Sequence, residues 1–391
     1  MKYLIFGADP RARAVTHYLL QHEDTEQVIV LDANGKAAET PEQSIHDDRV
    51  STMCHKVFSD SESETRQFIS LADVVISCLP GELNHNLCRL VAQVKDRHFV
   101  DLGGSALTES RQRDFSDRAA RSGMTMAPAQ GIAPGAVSVL TAYLMKKLGG
   151  EHFDAARIFV GGIPRRPIPT IGYSLASSVH EMFNEYLEMA EVLRNGRRQL
   201  VESISDIMSI DFPAPYGGVL EAAVTSGGLS TLTRTFEGKV DTLEYRTLRW
   251  PGHWKTINTL KSLGFLSMLA EDGLQGITPR TMTERVFDRN MSRKQEDLLA
   301  LRIVVQAGKR EATFTMAVKA DPNTGFSAIH QVAGFSATHQ VAGFSAGIVA
   351  RMIATGRIQK RGTITTELDV PPDEFLNEWQ SCGFSWHVRE T

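Results

Sequence analysis

Short apolar segments alternate with helix-like segments over the first 145 residues of the chain. The apolar segments lack a polar residue at every second position, which is typical of strands buried on both faces of a parallel sheet. The predicted strands are residues 3–6, 28–31, 74–78, 99–102 and 125–127. The predicted helices between them are residues 13–20, 62–70, 84–94 and 110–121. This alternation predicts βαβ units, so we expect an α/β fold with an N-terminal Rossmann-type, doubly wound parallel sheet.

The pattern changes after about residue 150. Leu175, Val179, Phe183 and Tyr186 recur at intervals of three and four, which predicts an amphipathic helix. Asn195-Gly196 lies between two strand-like runs and predicts a hairpin, because both residues tolerate a positive φ. Further strands are expected at residues 157–160, 218–225 and 240–250, and a second hairpin is expected between 300–306 and 312–318. These elements predict an α+β domain with a mixed, largely antiparallel sheet.

We therefore expect a Rossmann domain at residues 1–128, an α+β domain at 129–345 and a C-terminal segment at 346–391. The C-terminal segment has a helix-then-strand pattern, and we expect it to pack back on the Rossmann domain. Residues 326–334 and 335–343 are a tandem repeat in which one position of nine differs. Nine residues turn a helix by about two and a half turns, so the two copies cannot pack equivalently in one helix. We interpret the repeat as a local duplication with one copy looped out or lengthening a helix; the alternative is a functional pair, His330 and His339.

The composition argues against nucleic-acid-binding and membrane-spanning proteins. The chain has 391 residues, with 42 Lys and Arg against 46 Asp and Glu, and a net charge of −4 argues against a nucleic-acid partner. The stretches without charged residues, 123–145 and 323–350, are too polar and too broken to cross a membrane. Strand-like residues begin at the N-terminus without a preceding signal peptide, and the four cysteines lack CxxC spacing. We expect reduced thiols, a cytoplasmic protein and no metal site.

The turn after the first predicted strand has the position of a dinucleotide-binding loop. It reads Gly7-Ala8-Asp9-Pro10-Arg11-Ala12, and Asp32 ends the second strand. A carboxylate at that position accepts hydrogen bonds from ribose hydroxyls and disfavours a 2′-phosphate. The sequence therefore predicts NAD, with NADP less favoured.

This turn departs from the dinucleotide fingerprint at two positions. Asp9 takes the place of the second glycine and Ala12 that of the third, and Asp9 brings a negative charge to the pyrophosphate position. Arg11 could offset that charge. The alternative is a turn that binds nothing.

Other Gly- and Pro-rich turns follow strands on the same predicted sheet edge, where open α/β sheets bind ligands. They contribute the candidate cofactor-binding residues Cys78, Leu79, Pro80, Gly103 and Gly131, and Asp101 is a candidate supporting residue.

Five segments of this chain, in this order, resemble the saccharopine dehydrogenase family. They are Gly131-Ile132-Ala133-Pro134-Gly135, Gly161-Gly162-Ile163-Pro164, Asn184-Glu185-Tyr186, Thr-Ser-Gly-Gly-Leu-Ser-Thr at 225–231 and Leu-Glu-Tyr-Arg-Thr-Leu-Arg-Trp-Pro-Gly-His at 243–253. Within the family, the similarity is greatest to lysine 6-dehydrogenases. The resemblance implies an NAD(P)-dependent homodimer that oxidises the ε-amine of L-lysine to the 6-semialdehyde. Saccharopine dehydrogenase or reductase activity and a non-catalytic family member remain alternatives.

That activity implies roles for particular residues. An ε-ammonium titrates near pH 10.4 and must lose a proton before oxidation, and Glu185 and His253 are the candidate bases. Arg249 is expected to bind the substrate carboxylate, with Tyr245 and Thr247 on the same face of the strand. Thr225 is a further candidate catalytic residue. Ser226-Gly227-Gly228 is expected to open a helix and to offer free N–H groups to that carboxylate. Each residue also has an ordinary alternative: Glu185 as a solvated charge, Arg249 as a surface cation and His253 as a packing residue.

Overall fold

The computed structural model describes residues 1–34, 47–104, 106–168, 171–173, 178–213, 218–269, 276–291, 297–319 and 336–391. The predicted fold class is confirmed: a parallel sheet lies in the N-terminal part and a mixed sheet with helices follows it. Within these residues, none of the helices has both the length and the apolar character needed to span a bilayer.

The first sheet has seven strands. In sequence order they are β1 (Lys2–Phe6), β2 (Gln27–Asp32), β3 (Val50–Cys54), β4 (Val74–Ser77), β5 (His98–Asp101), β6 (Thr125–Ala127) and β15 (Gly362–Thr363). Their spatial order is β15-β6-β5-β4-β1-β2-β3, and all neighbours are parallel. The chain order reverses between β1 and β4, which places the turns after these two strands at the switch point of the sheet.

Helices cover the sheet faces. They are α1 (Pro10–Leu20), α2 (Glu62–Ser70), α3 (Asn84–Val91), α4 (Ala106–Asp114), α5 (Ser116–Arg121) and α6 (Ala136–Leu148). The predicted helix at 110–121 is therefore two helices, and α6 follows the sheet as an almost wholly apolar helix that was not predicted. Strand β3 was also not predicted, because it is a short, half-exposed edge strand without a continuous apolar run.

The second sheet has nine strands. They are β7 (Phe153–Pro164), β8 (Ala190–Arg194), β9 (Arg197–Val201), β10 (Ser205–Phe212), β11 (Gly218–Val224), β12 (Val240–Arg249), β13 (Asp297–Ala307), β14 (Arg310–Lys319) and β16 (Trp386–Glu390). The main path is β10-β11-β12-β7-β13-β14-β16; off this path, β8 pairs with β12 and β9 pairs with β8. Only the β7–β12 pair among these is parallel. Both predicted hairpins are confirmed, with Arg194 opposite Arg197 and Ala307 opposite Arg310.

The remaining helices are α7 (Val179–Leu187), α8 (Leu232–Thr235), α9 (His253–Ser262), α10 (Pro279–Met291), α11 (Ala337–Ala354), α12 (Thr366–Asp369) and α13 (Pro372–Ser381). The predicted amphipathic helix corresponds to α7, and Leu175 lies outside the described residues. The C-terminal segment contributes to both sheets, since β15 pairs with β6 and β16 pairs with β14.

Helix α11 packs closely against α1. A Cβ atom on Gly343 would lie 2.6 Å from the Ala14 Cβ, and one on Gly347 would lie 2.6 Å from the Tyr18 ring. The second copy of the tandem repeat begins this helix, with Ser336 as its N-cap. The first copy lies outside the described residues.

Candidate active site

The turn between β1 and α1 is held close to the turn after β4. Gly7 has a φ of +94°, and a Cβ there would lie 2.9 Å from the carbonyl oxygen of Cys78. The backbone N–H of Gly7 donates to Leu31 and that of Cys78 donates to Phe6, each at 2.8 Å. Gly7 is therefore required for the close approach of these two turns.

Asp9 is the N-cap of α1. Its Oδ1 accepts hydrogen bonds from the backbone N–H groups of Arg11 at 2.8 Å and Ala12 at 3.1 Å. Its Oδ2 accepts from Arg11 Nε at 2.6 Å, and Pro10 occupies the first helical position. Burial alone would lower the pKa of Arg11, but the Asp9 carboxylate outweighs it and raises that pKa above its ordinary value.

A pyrophosphate at the start of α1 would have to displace the Asp9 carboxylate from the helix. In a dinucleotide-binding fold the phosphate oxygens accept the N–H groups of that first helical turn. Here the chain's own carboxylate accepts them.

Asp32 and the turn after β4 also lie at the sheet edge that is predicted to bind the cofactor. The Asp32 carboxylate accepts from the N–H groups of Ala8 at 2.9 Å and Asn34 at 2.7 Å. Cys78 is buried, and burial raises the pKa of its thiol well above the ordinary value. Leu79 is half-buried and Pro80 is exposed beside it.

Asp101 connects the turns after β5 and β6. Its buried carboxylate accepts from the N–H groups of Gly103 and Ala129, each at 2.8 Å, and from Gln112 Nε2 at 2.7 Å. Burial raises its pKa from 3.8 to about 6. Gly131 is buried at the start of the tight loop that leads into α6. The candidate cofactor residues thus lie at the carboxyl ends of five neighbouring strands, along one sheet edge.

Arg249 is a buried cation at the end of β12, with only 4% of its surface exposed. Its Nε donates to Tyr186 Oη at 2.8 Å and its Nη1 donates to the Leu248 carbonyl at 2.9 Å. The guanidinium carbon lies 4.3 Å from the centre of the Tyr173 ring and 5.9 Å from that of Trp254. In the described part of the chain, no carboxylate lies within ion-pair distance of this guanidinium, and Nη2 has no hydrogen-bond acceptor there.

The lack of a carboxylate partner among the described residues distinguishes Arg249 from the other buried arginines. Arg246, Arg249 and Arg280 are the buried arginines among the described residues. Arg246 pairs with Glu244 at 2.7 Å and Arg280 pairs with Glu284 at 2.8 Å. A buried charge without a counter-ion is costly, so its retention points to an anionic ligand.

His253 is fixed by two hydrogen bonds and is 1% exposed. Its Nδ1 lies 2.8 Å from the Ile171 carbonyl oxygen, so Nδ1 is the protonated nitrogen and donates to it. Its Nε2 then accepts from Tyr186 Oη at 3.1 Å. Burial and the Arg249 charge lower the pKa of His253 to about 3. A pKa this low and two occupied ring nitrogens do not favour the predicted proton transfer by His253 near neutral pH, and the ring orients Tyr186.

Glu185 lies next to this pocket on α7. Thr225 Oγ1 donates to Glu185 Oε1 at 3.2 Å, Thr247 also donates to that oxygen, and the two hydroxyls lie 2.7 Å apart. Tyr245, two residues before Thr247 on β12, is 7% exposed, and burial raises its pKa. The ring of Tyr245 fills the space beside Gly228, since a Cβ on Gly228 would lie 2.2 Å from it.

The predicted helix start at residues 226–228 is not formed. Helix α8 begins only at Leu232 and has four residues, and the N–H of Ser226 donates to the Glu185 carbonyl at 3.1 Å. The Ser-Gly-Gly segment instead positions Glu185 and makes room for Tyr245.

The structure therefore brings together the predicted residues Glu185, Thr225, Tyr245 and Arg249. Thr247, which the alternation of the predicted strand placed on the same face, lies with them. Tyr173, Tyr186 and Trp254 surround Arg249, and sequence reasoning assigned no role to Tyr186 and Trp254. Residues Ala8, Cys78, Leu229 and Tyr245 belong to one continuous buried cluster, which connects this pocket to the cofactor edge.

Comparisons with known proteins agree with this architecture. A sequence model of the saccharopine dehydrogenase C-terminal domain matches residues 131–384, and one of the saccharopine dehydrogenase NADP binding domain matches residues 3–127. The fold is similar to that of apo saccharopine dehydrogenase (L-Glu forming) from Saccharomyces cerevisiae, with a TM-score of 0.79 and 15% identity over 100% of this chain and 99% of that chain. The DAP dehydrogenase of C. glutamicum, solved with DAP, has a TM-score of 0.47 and 12% identity over 97% of this chain and 98% of that chain.

Proposed function

Since the chain belongs to the saccharopine dehydrogenase family, we propose that it is an NAD(P)-dependent oxidoreductase acting on the ε-amine of L-lysine. The product would be the 6-semialdehyde. The single observation that carries the proposal is Arg249, a buried cation with no carboxylate partner in the described part of the chain, next to Glu185.

Arg249 would bind the substrate α-carboxylate. Tyr173, Tyr186 and Trp254 surround its guanidinium, and Tyr186 fixes Nε, so Nη2 is the nitrogen that remains for a ligand. Hydrogen bonds between a guanidinium and a carboxylate are among the strongest in proteins, and exclusion of water strengthens them further.

Glu185 would take the proton from the substrate ammonium. Thr225 and Thr247 fix one of its oxygens, while the other has no partner among the described side chains. Positioning is the first requirement for a general base, and Glu185 meets it better than His253, whose two nitrogens are already bonded. Tyr245 would close the pocket wall beside Gly228.

The number of buried cations favours lysine over saccharopine. Saccharopine adds a glutarate portion with two more carboxylates, which need further cations. Arg166 and Arg234, two arginines of this part of the chain, are exposed. Saccharopine oxidation is therefore the second candidate, and it would require the two additional carboxylates to be bound at the solvent-exposed surface.

Steady-state kinetics would test this proposal. Pure protein is assayed for growth of NADH or NADPH absorbance with L-lysine and with saccharopine as substrates. Arg249→Met should raise the KM for lysine about 30-fold, because a hydrogen-bonded charge contributes about 2 kcal/mol. Glu185→Gln should lower kcat about 100-fold with little change in KM.

Arg246→Met is the matched control, since Arg246 is equally buried on the opposite face of β12 but already has Glu244 as its partner. It should leave the KM unchanged. Turnover of neither substrate with either cofactor would overturn the proposal and leave the non-catalytic alternative.

The cofactor form is a further part of the proposal. The Asp32 carboxylate supports NAD, because a 2′-phosphate bound at the end of β2 would meet its negative charge. The name of the matching domain model favours NADP. Tighter binding of NADPH than of NADH in parallel titrations would overturn the assignment of NAD.

We also propose that the protein is a cytoplasmic homodimer. Exposed apolar side chains on β9, β10 and β11 support an interface there: Leu200, Ile207, Met208 and Val219. The four cysteines are free thiols, as suits a reducing compartment. Light scattering after gel filtration would contradict the dimer if it gave the mass of one chain at micromolar concentration.

A further inference from the structure

The start of α1 is the position at which this fold normally binds phosphate groups. Helix α1 has 11 residues, and its first turn points toward the turns after β1 and β4. The N–H groups of such a turn, together with the helix dipole, form an anion site.

In this first turn, each backbone N–H group already donates to an acceptor of the chain, and one residue has no N–H group. Pro10 has no N–H group. The N–H groups of Arg11 and Ala12 donate to Asp9 Oδ1, and that of Arg13 donates to the Asp9 carbonyl at 3.3 Å. A phosphate can accept from these donors only if the Asp9 carboxylate leaves them.

The only side-chain cation in direct contact with Asp9 among the described residues is also engaged. Arg11 Nη2 lies 2.6 Å from Asp9 Oδ2 and 3.4 Å from the Cys78 carbonyl oxygen. The pair is only partly exposed, with side-chain exposures of 27% and 32%. Asp9 therefore supplies the negative charge that this helix end and this arginine would otherwise attract from a ligand.

We propose that Asp9 is a built-in competitor of phosphate groups at the start of α1, which weakens the binding of nucleotides that carry a diphosphate. The inference concerns the cofactor site of the proposed function and makes residue 9 the determinant of how tightly that site holds its ligand. A neutral nucleoside does not compete with the carboxylate, so its binding does not depend on residue 9.

Calorimetric titration of ADP and of adenosine separates the two contributions. Asp9→Gly frees both N–H groups and Arg11, so it should bind ADP at least tenfold more tightly than the unaltered protein. Adenosine affinity should change less than twofold. Asp9→Ser keeps a good N-cap while removing the charge, and it should show a smaller gain for ADP.

Asp47→Gly is the matched control. Asp47 pairs with Arg49 in the same two-residue spacing as Asp9 with Arg11, but it lies before β3, at the opposite edge of the sheet. This variant should leave both affinities unchanged. If Asp9→Gly fails to fold, as judged by its thermal melt, Asp9→Ser decides the question.

Equal ADP affinity in the unaltered protein and the Asp9 variants would overturn the inference. An equal gain for ADP and adenosine would also overturn it, because the effect would then be a wider site and not a lost charge. These titrations need no turnover, so their failure is distinct from a failure to oxidise lysine.

Discussion

Replacing Tyr186 by phenylalanine removes the hydroxyl group that joins Arg249 to His253. Tyr186 Oη accepts from Arg249 Nε at 2.8 Å and donates to His253 Nε2 at 3.1 Å. Tyr186 is 0% exposed, Arg249 4% and His253 1%, so water has little access to replace the lost partner. The substitution leaves one charged donor and one ring nitrogen without their hydrogen bonds.

The cost follows from those two groups. A buried polar group that loses its partner costs about 1–3 kcal/mol, so Tyr186→Phe should reduce the free energy of unfolding by about 3 kcal/mol. Arg249 also loses the contact that fixes its guanidinium. The KM for lysine should therefore rise about tenfold, equivalent to about 1.4 kcal/mol of binding, with a smaller effect on kcat.

Urea unfolding and steady-state kinetics measure the two effects separately. Tyr18→Phe is the control, because Tyr18 is 1% exposed and its hydroxyl donates to Glu378 at 3.0 Å, on the α1 side of the molecule. It should lose stability without changing the KM. A Tyr186→Phe protein with unaltered stability and KM would refute the reasoning, since it would show that the hydroxyl does not hold Arg249.

Three further predictions concern other buried groups. His253 has a folded-state pKa of about 3 against 6.5, so its contribution to stability is complete above pH 6.5 and is lost as the pH falls toward 3; His253→Gln should reduce the acid sensitivity of unfolding in that range. Asp101 has a raised pKa of about 6 against 3.8, so its charge costs stability above pH 6 and not below pH 3.8. Asp101→Asn, which keeps an acceptor for Gly103 and Ala129, should add about 2 kcal/mol at pH 8 and nothing at pH 3.5 in denaturant titrations. Gly343→Ala should cost about 2 kcal/mol despite the better helix propensity of alanine, because its Cβ would lie 2.7 Å from the Arg11 carbonyl oxygen; an unchanged melting temperature would contradict this packing.

The strands of the first sheet could be predicted because they are apolar on both faces. All four residues of β4 are buried, and β1 is buried beyond Lys2. The edge strand β3 follows no such rule: only Val50 is buried, and Met53 and Cys54 are exposed. Helix α6 was missed for the opposite reason, since burial on most of its surface removes the helical period from its sequence.

The site was partly predictable for a similar reason. Alternation along a strand is local, so Tyr245 and Arg249 could be placed on one face before the fold was known. The role of His253 could not, because its pKa depends on burial and on a charge contributed by another element. Residues 226–228 show the same limit: their glycines permit an anion site, but the N–H of Ser226 is taken by Glu185, 41 positions earlier in the chain.

Arg249 and Arg11 show why a net charge of −4 says little about the ligands of this protein. Arg249 is buried without a carboxylate partner among the described residues, so an anionic ligand gains the full attraction of its charge in a medium of low polarity. Arg11 has Asp9 at 2.6 Å, so a phosphate must first displace an existing partner. The surroundings of Arg249 therefore favour an anion, whereas the carboxylate at the start of α1 disfavours one. Under the proposed function, residue 249 and residue 9 would then set the affinity for substrate and the affinity for cofactor independently.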